Sequence, residues 1–153
     1  APATVFVIAN SVTDDSFNQN EDYNYNYMGL EELKSLRKKD LFTIGNHTMS
    51  HPDLTEIAGS DRLLREIVES QKKLESVIDI SVDRFCYPGN KFDSRSYNLV
   101  AMSHDYAVCG GGRTEEISSE TDPHLIPRVN GSNKLWQINL DLSDLGAQVD
   151  RVL

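Results

Sequence analysis

The feature that most constrains this chain is a repeated alternation of apolar, β-type runs with helix-patterned segments. Thr4 to Ile8 is almost wholly apolar and rich in β-branched and aromatic residues, as expected of a strand covered on both faces. Leu41-Phe42-Thr43-Ile44 reads as a second strand ended by Gly45, Arg84-Phe85-Cys86-Tyr87 as a third broken by Pro88-Gly89, and Tyr106-Ala107-Val108-Cys109 as a fourth. Leu125-Ile126-Pro127-Arg128-Val129 supplies a short fifth. Between them lie helical patterns. Leu30, Leu33 and Leu36 share one face, with Arg37, Lys38 and Lys39 at the end that favours cations. Ser60 and Asp61 start a longer helix with Leu63, Leu64, Ile67, Val68, Leu74, Val77 and Ile78 on one side and charges opposite. Asp93 can cap a third, running to about Ser103.

Strand–helix alternation predicts parallel strands joined by helical crossovers, in an α/β sheet or barrel. Such folds carry their functional groups at the C-terminal ends of strands. His47, Pro88-Gly89 and Gly110-Gly111-Gly112 all fall just past such ends. Residues 10–27 are polar, rich in Asn, Asp and Tyr, and read as one long loop. The tail alternates at Leu135, Ile138, Leu140 and Leu142, with Trp136 read as core, then turns helical from Ser143 to Leu153. A length of 153 residues suits a single domain, 1–153, with a sizeable core.

The formal net charge of −9 argues against nucleic acid or an anionic membrane surface as partner, because phosphate binding needs clustered Lys and Arg. No run of about 18 apolar residues is present, so no membrane span is expected. Cys86 and Cys109 each end a strand; buried thiols are favoured over a disulfide, and the redox compartment stays open. Gly-x-Ser-x-Gly is absent, and the glycine run before Arg113 lacks the Lys-Ser/Thr of a phosphate loop.

His47 and His51 are the candidate metal ligands, a pair whose spacing alone also fits a chance occurrence in a loop. Histidines four apart project from one side of a helical turn, so both imidazoles can reach one cation. Neutral imidazole suits Zn²⁺, and also Ni²⁺, Co²⁺ or Fe²⁺. The stretch Ile44-Gly45-Asn46-His47-Thr48-Met49-Ser50-His51-Pro52-Asp53-Leu54 resembles the second motif of the polysaccharide deacetylase family, the nodulation-factor deacetylase homology domain. Other pieces match in order. Pro2 to Val7 resembles that family's second strand, Met28 to Leu33 the helix before the metal motif, and Phe85-Cys86-Tyr87-Pro88-Gly89-Asn90 its third motif. Leu125-Ile126-Pro127-Arg128 is similar to a Pro-Arg segment of the branch acting on poly-N-acetylglucosamine.

The resemblance implies a partial, distorted (β/α) barrel lacking its first strand, in a chain with residues missing upstream. It implies metal-dependent hydrolysis of N-acetyl groups on poly-N-acetylglucosamine, chitin, peptidoglycan or a related oligosaccharide. His47 and His51 would be metal ligands, and Tyr87, Pro88, Gly89 and Asn90 would bind substrate or its oxyanion. An extracellular, periplasmic or cell-wall location follows by the same resemblance. The family's first motif, which supplies the base and a third ligand, is not found. Asp14 and Asp15 mimic it but follow the wrong strand. Cys86 stands where many members hold the base with an Arg; Arg128 could supply that guanidinium, and its bland alternative is a rim ion pair. Arg84 falls too early in its strand and reads as structural. His124 is a weak candidate for the acid, and His104 reads as a helix-end residue interacting with the last carbonyls. Tyr23, Tyr25 and Tyr27 read as a surface loop, with a sugar-binding rim as the alternative.

The chain is therefore expected to be inactive alone, and to pair with a second copy through an open sheet edge. Two further readings stand beside the deacetylase: a non-catalytic relative that binds metal or glycan, and an amidohydrolase acting on a small non-sugar amide.

Overall fold

The computed structural model describes residues 2–12, 17–20, 25–110 and 117–128, with the backbone alone at 17–20, 25 and 26. Its strands are β1 (Ala3–Val7), β2 (Phe17–Asn20), β3 (Tyr25–Met28), β4 (Phe42–Asn46), β5 (Arg84–Cys86), β6 (Tyr106–Gly110) and β7 (Ile126–Arg128). Its longer helices are α1 (Leu30–Arg37), α2 (Ser60–Leu64), α3 (Ser70–Ile78) and α4 (Ser94–Ser103). A π-helical segment, Arg65–Glu69, joins α2 to α3.

Five strands form a wholly parallel sheet in the order β1-β4-β5-β6-β7. Both the alternation and the resemblance predicted this α/β arrangement. Helical crossovers carry the chain from β4 to β5 and from β5 to β6, because parallel neighbours cannot be joined by a tight turn. The β4–β5 ladder is the thinnest, with one registered pair, Asn46 opposite Phe85.

The expectation of a long loop at 10–27 is corrected in its second half. Phe17–Asn20 and Tyr25–Met28 pair antiparallel as a separate two-stranded sheet. Tyr25 and Tyr27 alternate with Asn26 and Met28, a period-two pattern that a reading of overall polarity passed over. A further correction concerns β1. It lies at the end of the strand order, and Ala3 and Thr4 are exposed. An apolar run therefore marks strand type here without implying cover on both faces.

Local chemistry explains the helix boundaries. Gly29 N–H donates to Glu32 Oε2 at 2.9 Å, fixing the start of α1. Asp93 accepts from the backbone N–H groups of Arg95 (3.1 Å) and Ser96 (2.9 Å), as expected of the α4 cap. Leu63, Ile67, Phe85, Tyr87, Val100 and Ala107 meet in one buried cluster; Leu33, Ile44, Leu74, Ile78 and Val82 meet in another. Both lie where helices cover the sheet. Leu64, expected on the apolar face, is exposed. Another surface of the sheet carries an apolar cavity of about 360 Å³ lined by Phe6, Tyr106, Val108 and Ile126 with Thr4, Arg84 and Phe85. No helix of the described residues is long and apolar enough to cross a membrane.

Candidate metal centre

The site begins where β4 ends. Phe6 of β1 lies opposite Gly45, and a Cβ on Gly45 would meet the Phe6 ring at 2.6 Å and Arg84 O at 3.1 Å. Glycine is required there by close packing, and it lets β1 and β4 run side by side up to His47, whose N–H donates to Val7 O at 2.9 Å. Nδ1 of the half-buried His47 ring is 2.7 Å from Cys86 O. A carbonyl only accepts, so Nδ1 carries the proton and Nε2 keeps the bare lone pair. Burial, together with the charges of His51 and Arg128, pushes the His47 pKa down to about 4 against the opposing effect of the Cys86 bond. Its imidazole is therefore neutral near pH 7, the form that binds metal.

His51 lies beside it, with ring centroids 4.7 Å apart and planes at 71°. The pair comes together by a route that differs from the expected helical turn. Residues 47–53 are not helical; instead Thr48 (φ 69°) and His51 (φ 61°) take left-handed backbone conformations. Each such residue costs on the order of 1–3 kcal/mol and persists only where its surroundings hold it. Here they do. Asn46 Oδ1 accepts from Thr48 N–H at 3.0 Å, and Thr48 Oγ1 accepts from His51 N–H at 2.9 Å. Asn46 Nδ2 in turn donates to Ile67 O at 3.0 Å and lies 2.9 Å from Ser70 Oγ. Glu66 O accepts from Met49 N–H at 3.1 Å, while its carboxylate accepts from Ser50 N–H (2.9 Å) and Ser50 Oγ (2.7 Å). Asn46, Glu66 and Ser70 were missed as site residues. Asn46 stood inside the motif, and the 24-residue gap to Ser70 hid its partner.

The third-motif residues divide. Tyr87 and Pro88 are buried, whereas Gly89 (φ 57°) and Asn90 (φ 59°) are exposed. The Tyr87 ring packs against Phe85 and Phe92 at centroid distances of 5.2 and 4.6 Å. Its side chain is core, and its backbone N–H donates to Val108 O at 3.3 Å while its carbonyl accepts from Asn90 N–H at 3.2 Å. Asn90 Oδ1 accepts from Gly110 N–H, tying this turn to the end of β6. Lys91 pairs with Asp53, tying it to the segment after His51.

Arg128 ends β7 opposite Gly110. Its charge acts on both His47 and Cys86, and it forms no ion pair with another described residue. Burial pushes the Cys86 thiol up, with Arg128 offsetting part of the rise. Neither Cys86 nor Cys109 is in a disulfide. Arg84 lies 3.9 Å from Asp83. His124 is not brought to the pair: it precedes β7, and its Nε2 donates to His104 O at 2.9 Å. His104 is buried, its ring 3.2 Å from Asn46 Nδ2 and 2.9 Å from Ser103 Oγ, so it bonds side chains rather than the last helical carbonyls. Asp14, Asp15, Tyr23, Arg113 and Trp136 lie outside the described residues, and of Tyr25 only the backbone is described.

Two imidazoles, one held in the Nε2-ligating tautomer, suit a borderline-soft divalent cation. Among the described residues no group of three or more His, Cys, Asp and Glu could hold a metal, so the pair needs further ligands.

The family model for polysaccharide deacetylase matches residues 1–108. Three solved structures share the fold. A polysaccharide deacetylase from Bacillus cereus, BC0361, superposes with a TM-score of 0.70 at 18% identity, over 92% of this chain and 42% of its own. IcaB from Ammonifex degensii gives 0.69 at 18%, over 89% of this chain and 59% of its own. A de-N-acetylase from Aggregatibacter actinomycetemcomitans gives 0.68 at 12%, over 92% and 64%. The chain thus spans 42–64% of the length of these proteins. No curated protein matches it. A family match over most of the chain, a parallel sheet shared with deacetylases and a histidine pair past the end of β4 agree, and the chain belongs to the polysaccharide deacetylase family.

Proposed function

We propose that this chain contributes the histidine half of a metal site that hydrolyses N-acetyl groups on a polysaccharide or oligosaccharide of N-acetylglucosamine. Poly-N-acetylglucosamine, chitin and peptidoglycan are the substrate classes that fit, and the reading extends to an extracellular, periplasmic or cell-wall location. The observation that carries it is the His47 Nδ1 to Cys86 O bond of 2.7 Å beside the His51 ring. Family membership and a similar structure named as a de-N-acetylase support it.

His47, through Nε2, and His51 would hold the cation, with Zn²⁺ foremost and Ni²⁺, Co²⁺ or Fe²⁺ also suited. A bound divalent metal would supply Lewis-acid polarisation of the acetyl carbonyl and of a water. Arg128 would orient the base carboxylate, and the exposed turn at Gly89 and Asn90 would meet the sugar or its oxyanion, with Gly89 offering its backbone N–H, since that of Asn90 donates to Tyr87 O. His124 has no part in this reading, because its Nε2 is engaged by His104 O. With no third ligand among the described residues, the chain is proposed to be inactive alone. Pairing of two copies along β1, which has a neighbouring strand on one side only among the described residues, belongs to the same proposal.

The lack of a third ligand among the described residues also favours a second reading, a non-catalytic relative that binds metal or glycan. Metal content and acetate release from N-acetylglucosamine oligomers, measured on the full-length protein that carries this chain, separate the two. Metal with acetate release, both lost in His47→Ala, supports the deacetylase. Metal without acetate release supports the binder, and unchanged activity in His47→Ala ends the metal mechanism.

A further inference from the structure

The helix behind the histidine pair departs from α-geometry at the residues that touch the loop between them. Arg65–Glu69 is π-helical, flanked by α2 and α3. Such segments are rare, and they are frequent at functional sites because the extra residue re-aims side chains and loosens carbonyls. Both effects occur here. Glu66 and Ile67 present their backbone oxygens to Met49 N–H and to Asn46 Nδ2. Glu66 also sends its side chain back to Ser50.

The Glu66 carboxylate is in an unusual position. The residue is 5% exposed, and no Lys, Arg or His among the described residues forms an ion pair with it. A buried carboxylate without a cation is costly unless its oxygens are hydrogen-bonded. Both oxygens are used, and both go to one residue: Oε2 accepts from Ser50 N–H and Oε1 from Ser50 Oγ. Ser50 sits between the strained Thr48 and His51. A fork of two bonds to a single loop residue fixes that residue's orientation as well as its distance.

We propose that Glu66 is a positioning residue for the metal pair. It acts through Ser50 to hold the left-handed backbone that brings the His51 ring against His47, and the π-helical turn exists to aim it there. This rests on the metal-site reading above, but its geometric half is testable without metal. Ser50 is itself exposed, so Ser50→Ala removes the hydroxyl arm of the contact with little risk to folding.

The experiment uses the whole chain as wild type, Glu66→Ala, Glu66→Gln and Ser50→Ala. The first readout is metal-free: the nuclear Overhauser contact between the His47 and His51 ring protons. Expected are a clear contact in wild type, its loss in Glu66→Ala, a weakened one in Ser50→Ala and a retained one in Glu66→Gln, whose amide can still accept from Ser50 N–H. The second readout is Co²⁺ titration followed by its visible absorption. Affinity should fall about 10–100-fold in Glu66→Ala, as for lost partners of metal ligands, and be largely restored in Glu66→Gln. A folded Glu66→Ala that keeps the ring contact and the Co²⁺ affinity overturns the proposal. Should Glu66→Ala fail to fold, a Ser50→Ala with unchanged ring contact overturns it instead. A wild type that takes up no Co²⁺ defeats the metal reading, and the ring contact still decides the role of Glu66.

Discussion

Nδ1 of His47 lies 2.7 Å from the carbonyl oxygen of Cys86, at the strand pair where the sheet's ladder is thinnest. The side chain takes over the bridging that backbone hydrogen bonds perform elsewhere between parallel strands, and the bridge decides which ring nitrogen is bare. The ring should therefore be a single neutral tautomer, protonated on Nδ1, in the metal-free chain at pH 7. Long-range ¹H–¹⁵N correlation spectra of the imidazoles check this. A His47 found protonated on Nε2 would remove the lone pair on which the metal reading depends.

Much of this site was legible in the sequence, and what was not has a physical cause. The strand ends read at Ile44, Tyr87 and Cys109, each within two residues of the observed ends at Asn46, Cys86 and Gly110, the Asp93 cap and the histidine spacing are local signals, carried by residues a few positions apart. The way the rings converge is not local. It depends on left-handed conformations at Thr48 and His51, which non-glycine residues adopt uncommonly, and Glu66, 16 residues from Ser50, helps to hold the loop between them. Asn46 finds Ser70 and His104 from 24 and 58 residues away. In the sequence Glu66 looked like one more charge on the polar face of a helix, because a strict 3.6-residue period cannot reveal an inserted π turn. The hairpin at 17–28 was hidden differently, by a composition so polar that its alternation went uncounted.

Gly45→Ala should destabilise the chain. The added methyl would lie 2.6 Å from the Phe6 ring and 3.1 Å from Arg84 O. The ring is the far end of a side chain and can move, whereas the carbonyl belongs to β5. Overpacking of this kind typically costs about 1–3 kcal/mol. Urea denaturation gives the loss directly. Because most of the clash is with the ring, Phe6→Leu in the Gly45→Ala background should recover part of it, and a loss unchanged by Phe6→Leu would place the strain at Arg84 instead.

His104 makes stability depend on pH. Burial, aided by the charge of His124, pushes its pKa down to about 4 from an ordinary value of 6.5. The unfolded imidazole thus takes up a proton first as pH falls. Stability from this group is full above pH 6.5 and is lost progressively between 6.5 and about 4, by roughly 3 kcal/mol at about 1.4 kcal/mol per pH unit. His47, also held at about 4, contributes in the same window, whereas the depressed Asp93, at about 2, acts at lower pH. Denaturant midpoints from pH 7.5 to 4.5 should fall steadily in wild type and less steeply in His104→Gln. An equal slope in both would show that His104 does not titrate across this range.

Tyr87→Phe should leave the chain as stable as wild type or more so. The hydroxyl is fully buried and has no hydrogen-bond partner among the described residues, and burial with the nearby Tyr97, Cys109 and Asp122 pushes its pKa far up. A buried polar group without a partner costs about 1–3 kcal/mol of desolvation that folding does not return. Removing the oxygen relieves that cost while keeping the ring between Phe85 and Phe92, which supplies the packing. Against this runs the small void left by one oxygen, which loses a few dispersion contacts worth about 0.1–0.2 kcal/mol each. The desolvation gain is the larger quantity, so the thermal midpoint should rise by a few degrees, as about 1 kcal/mol does in a domain of this size. A fall of similar size would mean that the hydroxyl is engaged in solution, and Tyr87 would then be a polar anchor of the third-motif turn instead of plain core.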